Sequence, residues 1–180
     1  MPWYALFIEN GKEEIVQRFI RMYFTESSLI SIVPRRKIPE KKEGIMVNSL
    51  RLLFPGYILI KTDMTEEIYY TLNKIPYFYK IVSQGCHYSK KEGFHLSTIS
   101  DAEIDLIQQL INENEVIDYS QIYVEGSKVT VQSGPLTGLE AIIKKIDKHK
   151  KRAKIRLNFM KSERTVDVGI EIISNNPRFT

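Results

Sequence analysis

Gly126-Ser127-Lys128-Val129-Thr130-Val131-Gln132-Ser133-Gly134-Pro135-Leu136-Thr137-Gly138-Leu139-Glu140-Ala141-Ile142-Ile143 decides how the last third of this chain folds. Its first half alternates apolar and polar residues, the period-two pattern of a strand with one buried face. Gly134-Pro135 and Gly138 then punctuate it. Proline presets φ for a tight turn, and glycine enters conformations closed to other residues. The continuation from Lys144 to Arg156 holds Lys144, Lys145, Lys148, Lys150, Lys151, Arg152, Lys154 and Arg156 against one acid, Asp147. Ile143 and Ile146 face one way, Asp147 to Lys151 makes a turn, and Lys154 and Arg156 alternate with Ile155 and Leu157 on the return. A two-strand unit with a cationic tip is a shape that can meet a phosphate backbone, where each neutralised phosphate releases counterions.

Further strand patterns sit close by at Lys154–Phe159, Arg164–Val168 and Glu171–Ile173. Several short strands in under 60 residues predict a small β-barrel over residues 123–180. Residues 113–122 show weak periodicity and read as a linker. Ahead of them, Trp3–Glu9 reads as an aromatic and apolar strand, and Lys12–Phe24 as a helix with Glu13 and Glu14 in its first turn. Ser28–Pro34 is β-rich, and Arg35–Gly44, rich in charge, reads as an exposed loop. Arg51–Asp63 is a strand broken by Pro55-Gly56. Thr65–Asn73 reads as a short helix, Tyr77–Val82 as a strand and Gln84–Ser97 as a loop. Ser100-Asp101-Ala102-Glu103 is a capping box before a last helix, which the pattern ends near residues 112–114. Two strand-helix-strand runs make residues 1–112 a helix-on-sheet domain, so the fold class is α+β.

The totals agree with a globular chain of one or two domains: 180 residues, 43% hydrophobic and 27% charged. The net charge of +4 is unevenly spread. Residues 123–180 carry 12 basic and 6 acidic side chains, whereas residues 1–122 carry 14 and 16. A basic end beside a near-neutral remainder suggests that one part meets a polyanion. Cys86 is the single cysteine, so no internal disulfide forms, which fits a reducing compartment. The first ten residues lack a basic leader, and no apolar run approaches the length of a membrane span. The expectation is a cytoplasmic, monomeric protein without membrane contact. An enzyme is not expected: the adjacent Cys86 and His87 would point apart on a strand. His95 and His149 complete no zinc ligand set, and no phosphate-binding or nucleophile-elbow motif occurs. No cofactor or metal is expected.

Two further clusters stand out. Arg35, Arg36 and Lys37, with Lys41 and Lys42, form a second basic patch, interleaved by Glu40 and Glu43. Phe54-Pro55-Gly56-Tyr57-Ile58 weakens a strand that would otherwise be continuous. Its bend can expose Phe54 and Tyr57 as anchors for a partner, or both rings can pack in the core.

Trp3-Tyr4 opening a strand, Val33-Pro34 before a basic segment, and Phe54-Pro55-Gly56-Tyr57-Ile58-Leu59-Ile60 followed by Asp63-Met64 resemble the NGN domain of the NusG family of transcription elongation factors. Gly126–Ile143, with its Gly-Pro-Leu-Thr-Gly turn, resembles the KOW domain that follows it. The resemblance covers nearly the whole chain. It implies a non-enzymatic factor whose NGN domain grips the clamp helices of the largest RNA polymerase subunit through a patch lined by Phe54 and Tyr57. General members carry Phe-Gly-Arg where this chain has Met160-Lys161-Ser162, a contact for Rho or a small-subunit ribosomal protein. The basic hairpin resembles the specialised NusG paralogues of the LoaP type, antitermination factors that recognise a structured leader RNA. The expected function is therefore processive antitermination, with RNA held by Lys144, Lys145, Lys148, His149, Lys150, Lys151, Arg152, Lys154 and Arg156, and by Arg35, Arg36 and Lys37. The alternatives are a general elongation factor coupled to Rho or the ribosome, and a translation-associated KOW protein that binds RNA.

Overall fold

The computed structural model describes residues 1–82, 88–89, 93–94 and 96–174. In chain order the first elements are β1 (Trp3–Ile8), α1 (Glu13–Tyr23), β2 (Leu29–Ile32), β3 (Arg35–Lys42), β4 (Ile45–Leu52), β5 (Tyr57–Thr62) and α2 (Glu66–Leu72). Next come β6 (Phe78–Ile81), β7 (Tyr88–Ser89), β8 (Gly93–Phe94), α3 (Asp101–Leu110), β9 (Val116–Ile117) and β10 (Ser120–Glu125). The chain closes with β11 (Lys128–Ser133), a 3₁₀ turn (Glu140–Ile142), β12 (Ile143–Asp147), β13 (Arg152–Phe159) and β14 (Ser162–Ile172). These elements gather into two compact units, Met1–Val33 with Phe54–Ile104 and Pro34–Leu53 with Asp105–Thr180.

The first unit is built on an antiparallel sheet in the order β2-β5-β1-β6. Consecutive residues of its two central strands are fully buried, among them Ala5, Leu6, Ile58 and Leu59. Burial of neighbours on a strand means that both faces are covered, which is why these strands read as continuous apolar runs. Val16 and Ile20 of α1 and Leu72 of α2 belong to this core. Thr65 caps α2, its Oγ1 accepting from the Ile68 N–H at 3.2 Å. The Ser100 N–H donates to the Glu103 carboxylate at 3.2 Å, one arm of the expected capping box.

The strand predicted across Arg51–Asp63 is two strands. β4 ends at Leu52, β5 begins at Tyr57, and Phe54-Pro55-Gly56-Tyr57 forms a turn closed by the Tyr57 N–H on the Phe54 carbonyl. Gly56 has φ 81°, so proline and glycine occupy the second and third positions of a type II turn. The turn is anchored twice. The Ile8 N–H donates to the Gly56 carbonyl at 2.9 Å, and the Gly56 N–H donates to Glu13 Oε1 at 2.8 Å. Glu13 is only 2% exposed, so this acid of the first turn of α1 is an internal acceptor. Glu13→Ala should cost ~1–3 kcal/mol by stranding the buried amide, read as a lower urea midpoint at unchanged slope.

In the second unit, Arg35–Lys42 is a strand and not the exposed loop its composition suggested. β3 pairs antiparallel with β4 along its length and parallel with β9 at Arg35 and Arg36. Ile38 and Pro39 are buried. Pro39 is tolerated because β9 covers only the start of β3, so its missing N–H breaks no second ladder. The segment 113–122, read as a linker, contains β9 and the first residues of β10. Val116, Ile117 and Ser120 are buried there. A two-residue strand has no periodicity to read; its partner lies about 80 positions earlier in the chain.

The rest of this unit is a sheet in the order β11-β10-β14-β13-β12. Ile122, Val131, Leu136, Ile155, Phe159 and Ile170 line its core. β10, for which no strand was expected, pairs antiparallel with β11 and parallel with β14. The two strands expected at Arg164–Val168 and Glu171–Ile173 are one, β14. The Gly-Pro turn has a packing reason as well as a conformational one. Gly134 has φ 95°, and a Cβ there would lie 2.6 Å from the Tyr119 carbonyl oxygen and 2.7 Å from Ser120 Cα. Ser120 Oγ in turn accepts from the Leu136 N–H at 3.0 Å, seating a leucine that is fully buried.

Candidate functional site

Two surfaces carry the residues singled out in the sequence, one on each unit. On the first unit Phe54 is 4% exposed and packs in the core, whereas Tyr57 is half-buried. Tyr57 stands opposite Phe7 on the neighbouring strand, with ring centroids 5.5 Å apart. Phe7 in turn lies 5.6 Å from Tyr79 on the far side. Tyr57, Phe7 and Tyr79 therefore make an aromatic row across β5, β1 and β6, with Tyr79 56% exposed at its end. Such rings bring large apolar area at low conformational cost, and tyrosine adds a hydroxyl, which suits a protein-docking face. Phe7 and Tyr79 were not anticipated. Their signal is the pairing of three strands, which no single segment displays.

On the second unit, the cations expected to act together divide into two sets. The single acid of the Lys144–Arg156 run gains company, because β14 lies alongside β13. Arg156 Nη1 lies 3.7 Å from Glu163 Oε2, and Arg152 Nη1 lies 3.6 Å from Asp167 Oδ2. Arg152 also donates through Nε and Nη2 to the Pro39 carbonyl, at 3.2 and 2.7 Å. Arg36 donates to the Asp167 carbonyl, and burial pulls its guanidinium below the ordinary value while Asp167 opposes that shift. Lys37 Nζ sits 3.1 Å from both oxygens of Asp118. Arg35 is half-buried in the parallel pairing with β9.

The remaining members, Lys144, Lys145, Lys148, His149, Lys150, Lys151 and Lys154, are exposed. Lys145 stands directly opposite Lys154 across the β12–β13 ladder. Like charges facing each other across strands destabilise a sheet unless an anion offsets them. The Asp147 carboxylate is used by the turn itself. It accepts from the Lys150 N–H at 2.9 Å, and that bond holds its pKa below the usual range.

The β3–β4 hairpin has its own ion pair, Arg51 Nη2 to Glu40 Oε2 at 2.7 Å. Hydrogen bonding to Arg51 brings the Glu40 carboxyl down to about 2. The folded value lies below the unfolded one. The stabilisation is therefore complete above the ordinary glutamate range and lost as pH falls toward that value. The pair is solvent-screened, so Glu40→Gln should lower the urea midpoint only slightly near neutrality, with the difference from wild type vanishing in acid. Urea midpoints of both proteins across a pH series check this.

Among the described residues no group of His, Cys, Asp and Glu could hold a metal ion, and no helix is long and apolar enough to cross a membrane. Cys86, His87 and His95 lie outside the described residues. The fold and its two surfaces define an α+β protein that presents an aromatic face on one unit and a lysine-rich hairpin on the other.

Residues 1–108 match the family model described as "Transcription termination factor nusG", and the chain belongs to that family. It is 25% identical to the transcription termination/antitermination protein NusG of Rickettsia typhi, over 97% of this chain and 90% of that one. It is 23% identical to the protein of the same name from Helicobacter pylori, over 93% and 94%. The solved structure described as "Domain interaction in Thermotoga maritima NusG" superposes with a TM-score of 0.55 at 21% identity, covering 93% of each chain, and this likeness concerns the fold.

Proposed function

We propose that this protein is a transcription elongation factor that acts on RNA polymerase to govern termination and antitermination, in the manner of a general NusG. The observation that carries this reading is the end-to-end correspondence with relatives named for termination and antitermination, over 97% of this chain in the Rickettsia typhi case. The unit Met1–Val33 with Phe54–Ile104 acts as the polymerase-binding part, and the unit Pro34–Leu53 with Asp105–Thr180 carries the KOW-like sheet. The docking face is the row Tyr57-Phe7-Tyr79, with the buried Phe54 opening the turn that presents Tyr57. Its target is the clamp helices of the largest polymerase subunit. The test is capture of purified RNA polymerase by the tagged protein, followed by transcription through a terminator with and without it. Capture with a change in read-through supports the reading. Failure to bind polymerase overturns it.

A second reading, specialised antitermination through a structured leader RNA, is favoured by the lysine hairpin. Lys145 facing Lys154 is a repulsive pair that a phosphate backbone would relieve. The turn at Met160-Lys161, where both residues have positive φ, stands where general members carry Phe-Gly-Arg. Double-stranded RNA is held mainly through phosphates and shape. Under this reading, alanine at Lys145, Lys148, Lys150, Lys151 and Lys154 together lowers the slope of log affinity against log salt by up to ~4, about 0.7–0.9 for each phosphate no longer neutralised. An unchanged slope would mean that the hairpin is only solvated.

A further inference from the structure

Several of the charged residues on the second unit have partners that a surface patch would not need. Arg36, on β3, donates to the main-chain carbonyl of Asp167 on β14. Arg152, at the start of β13, donates with two nitrogens to the main-chain carbonyl of Pro39 on β3. The exchange is reciprocal, each guanidinium crossing to a carbonyl on the other side. Two further bonds flank it, Lys37 to Asp118 at 3.1 Å and the Tyr119 hydroxyl to Asn48 Oδ1 at 2.7 Å. Between them the backbones come close at Gly169. A Cβ there would lie 2.8 Å from the Lys37 carbonyl oxygen and 2.6 Å from the Tyr119 ring. Only a residue without a side chain lets β3 lie against β14 at this point.

Guanidinium groups suit this task. A carbonyl inside a packed junction gains more from a charged planar donor than from a neutral one. A guanidinium held on protein carbonyls, however, has fewer N–H groups left for a phosphate and is fixed in direction.

We infer that Arg36, Lys37 and Arg152 form a clasp that seats the Pro34–Leu53 hairpin on the β-sheet of its own unit, with Gly169 as the point of closest approach. The polyanion-binding surface is then confined to the exposed lysines Lys144, Lys145, Lys148, Lys150, Lys151 and Lys154. The second half of this inference rests on the RNA reading above; the clasp itself does not. These six lysines lie on β12, on β13 or in the turn between them, and all six are exposed. Arg152, next to Lys151 in the chain, reaches the other way, to the hairpin.

Hydrogen exchange of the full-length protein, read on the amides of residues 36–42, tests the clasp. Arg36→Lys keeps the charge but loses the fork, and Tyr119→Phe removes one flanking bond without changing the packing volume. Arg36→Lys should speed exchange in this segment about tenfold, and Gly169→Ala at least as much, while amides of β1 and β5 stay protected. Tyr119→Phe should give a smaller increase in the same segment. Unchanged exchange in both Arg36→Lys and Tyr119→Phe would overturn the clasp.

The second arm uses a double-stranded RNA hairpin as probe across a salt series. Arg36→Ala should leave the salt slope as in wild type, and bound RNA should leave exchange of residues 36–42 unchanged. A flatter slope, or faster exchange on adding RNA, would place Arg36 on the RNA and overturn the partition. If the wild type does not bind the probe at all, the RNA reading and the partition fall together, and the exchange data still decide the clasp.

Discussion

Tyr57→Ala is expected to leave the protein folded while capture of RNA polymerase falls by ~30-fold or more. Tyr57 is half-buried at the end of a turn, its ring centroid 5.5 Å from that of Phe7. Truncation there removes contact area from a docking face without emptying the core, and an aromatic anchor at an interface is commonly worth ~2 kcal/mol or more. Phe54→Ala should behave differently. Phe54 is 4% exposed, so its loss opens a cavity and costs ~3–5 kcal/mol of stability. Any loss of polymerase binding in that variant follows from a disturbed turn. Urea unfolding separates the two cases: the midpoint should be near wild type for Tyr57→Ala and markedly lower for Phe54→Ala. Tyr79→Ala, at the exposed end of the row, should weaken capture with wild-type stability. If Tyr57→Ala and Tyr79→Ala both capture polymerase as well as wild type, the aromatic row is not the docking face.

Gly134→Ala should be among the most damaging single substitutions in the second unit, at ~3 kcal/mol or more. Two costs combine. The residue holds φ 95°, a conformation that side chains rarely adopt, and the added methyl would press on the backbone of Tyr119 and Ser120 at 2.6 and 2.7 Å. Backbone cannot swing aside as a flexible side chain can. Gly126→Ala provides the control. It also has positive φ, 59°, but nothing lies within 4 Å of a Cβ there, so only the conformational cost of ~1–2 kcal/mol applies. Thermal or urea unfolding of the pair measures the difference. Equal destabilisation would mean that the close approach at Gly134 relaxes freely and that φ alone demands glycine in the turn. The Ser120 hydroxyl that receives the Leu136 N–H lies at the same point, so Gly134→Ala should also loosen the buried leucine.

The elements that could be read in advance are those whose evidence is local. The helix at Lys12–Phe24 and the strand at Trp3–Glu9 were legible because their apolar residues recur at the right period or run together. The Gly-Pro turn was legible because its chemistry belongs to a few residues. The type II turn at Phe54-Pro55-Gly56-Tyr57 was visible as an interruption, although its anchors, Glu13 and Ile8, were not. Glu13 looked like an ordinary first-turn acid, and nothing nearby in the chain says that its carboxylate is buried.

What could not be read locally is pairing. The charged run Arg35–Lys42 looked like a loop because its composition is that of a solvated segment, yet long-range partners in β4 and β9 make it a strand. The cationic stretch Lys144–Arg156 looked almost unopposed because its counter-charges, Glu163 and Asp167, arrive only when β14 folds back on β13. Composition, turn chemistry and periodicity by themselves determined the α+β class and most of the helices and strands, and they singled out candidate residues for a partner; the motifs at Phe54–Ile60 and Gly126–Ile143 carried the family resemblance. Only the tertiary structure decided which of those residues remain exposed to do so. A cation's availability depends on the groups brought beside it by strands many residues away, and spacing along the chain carries no record of that distance in space.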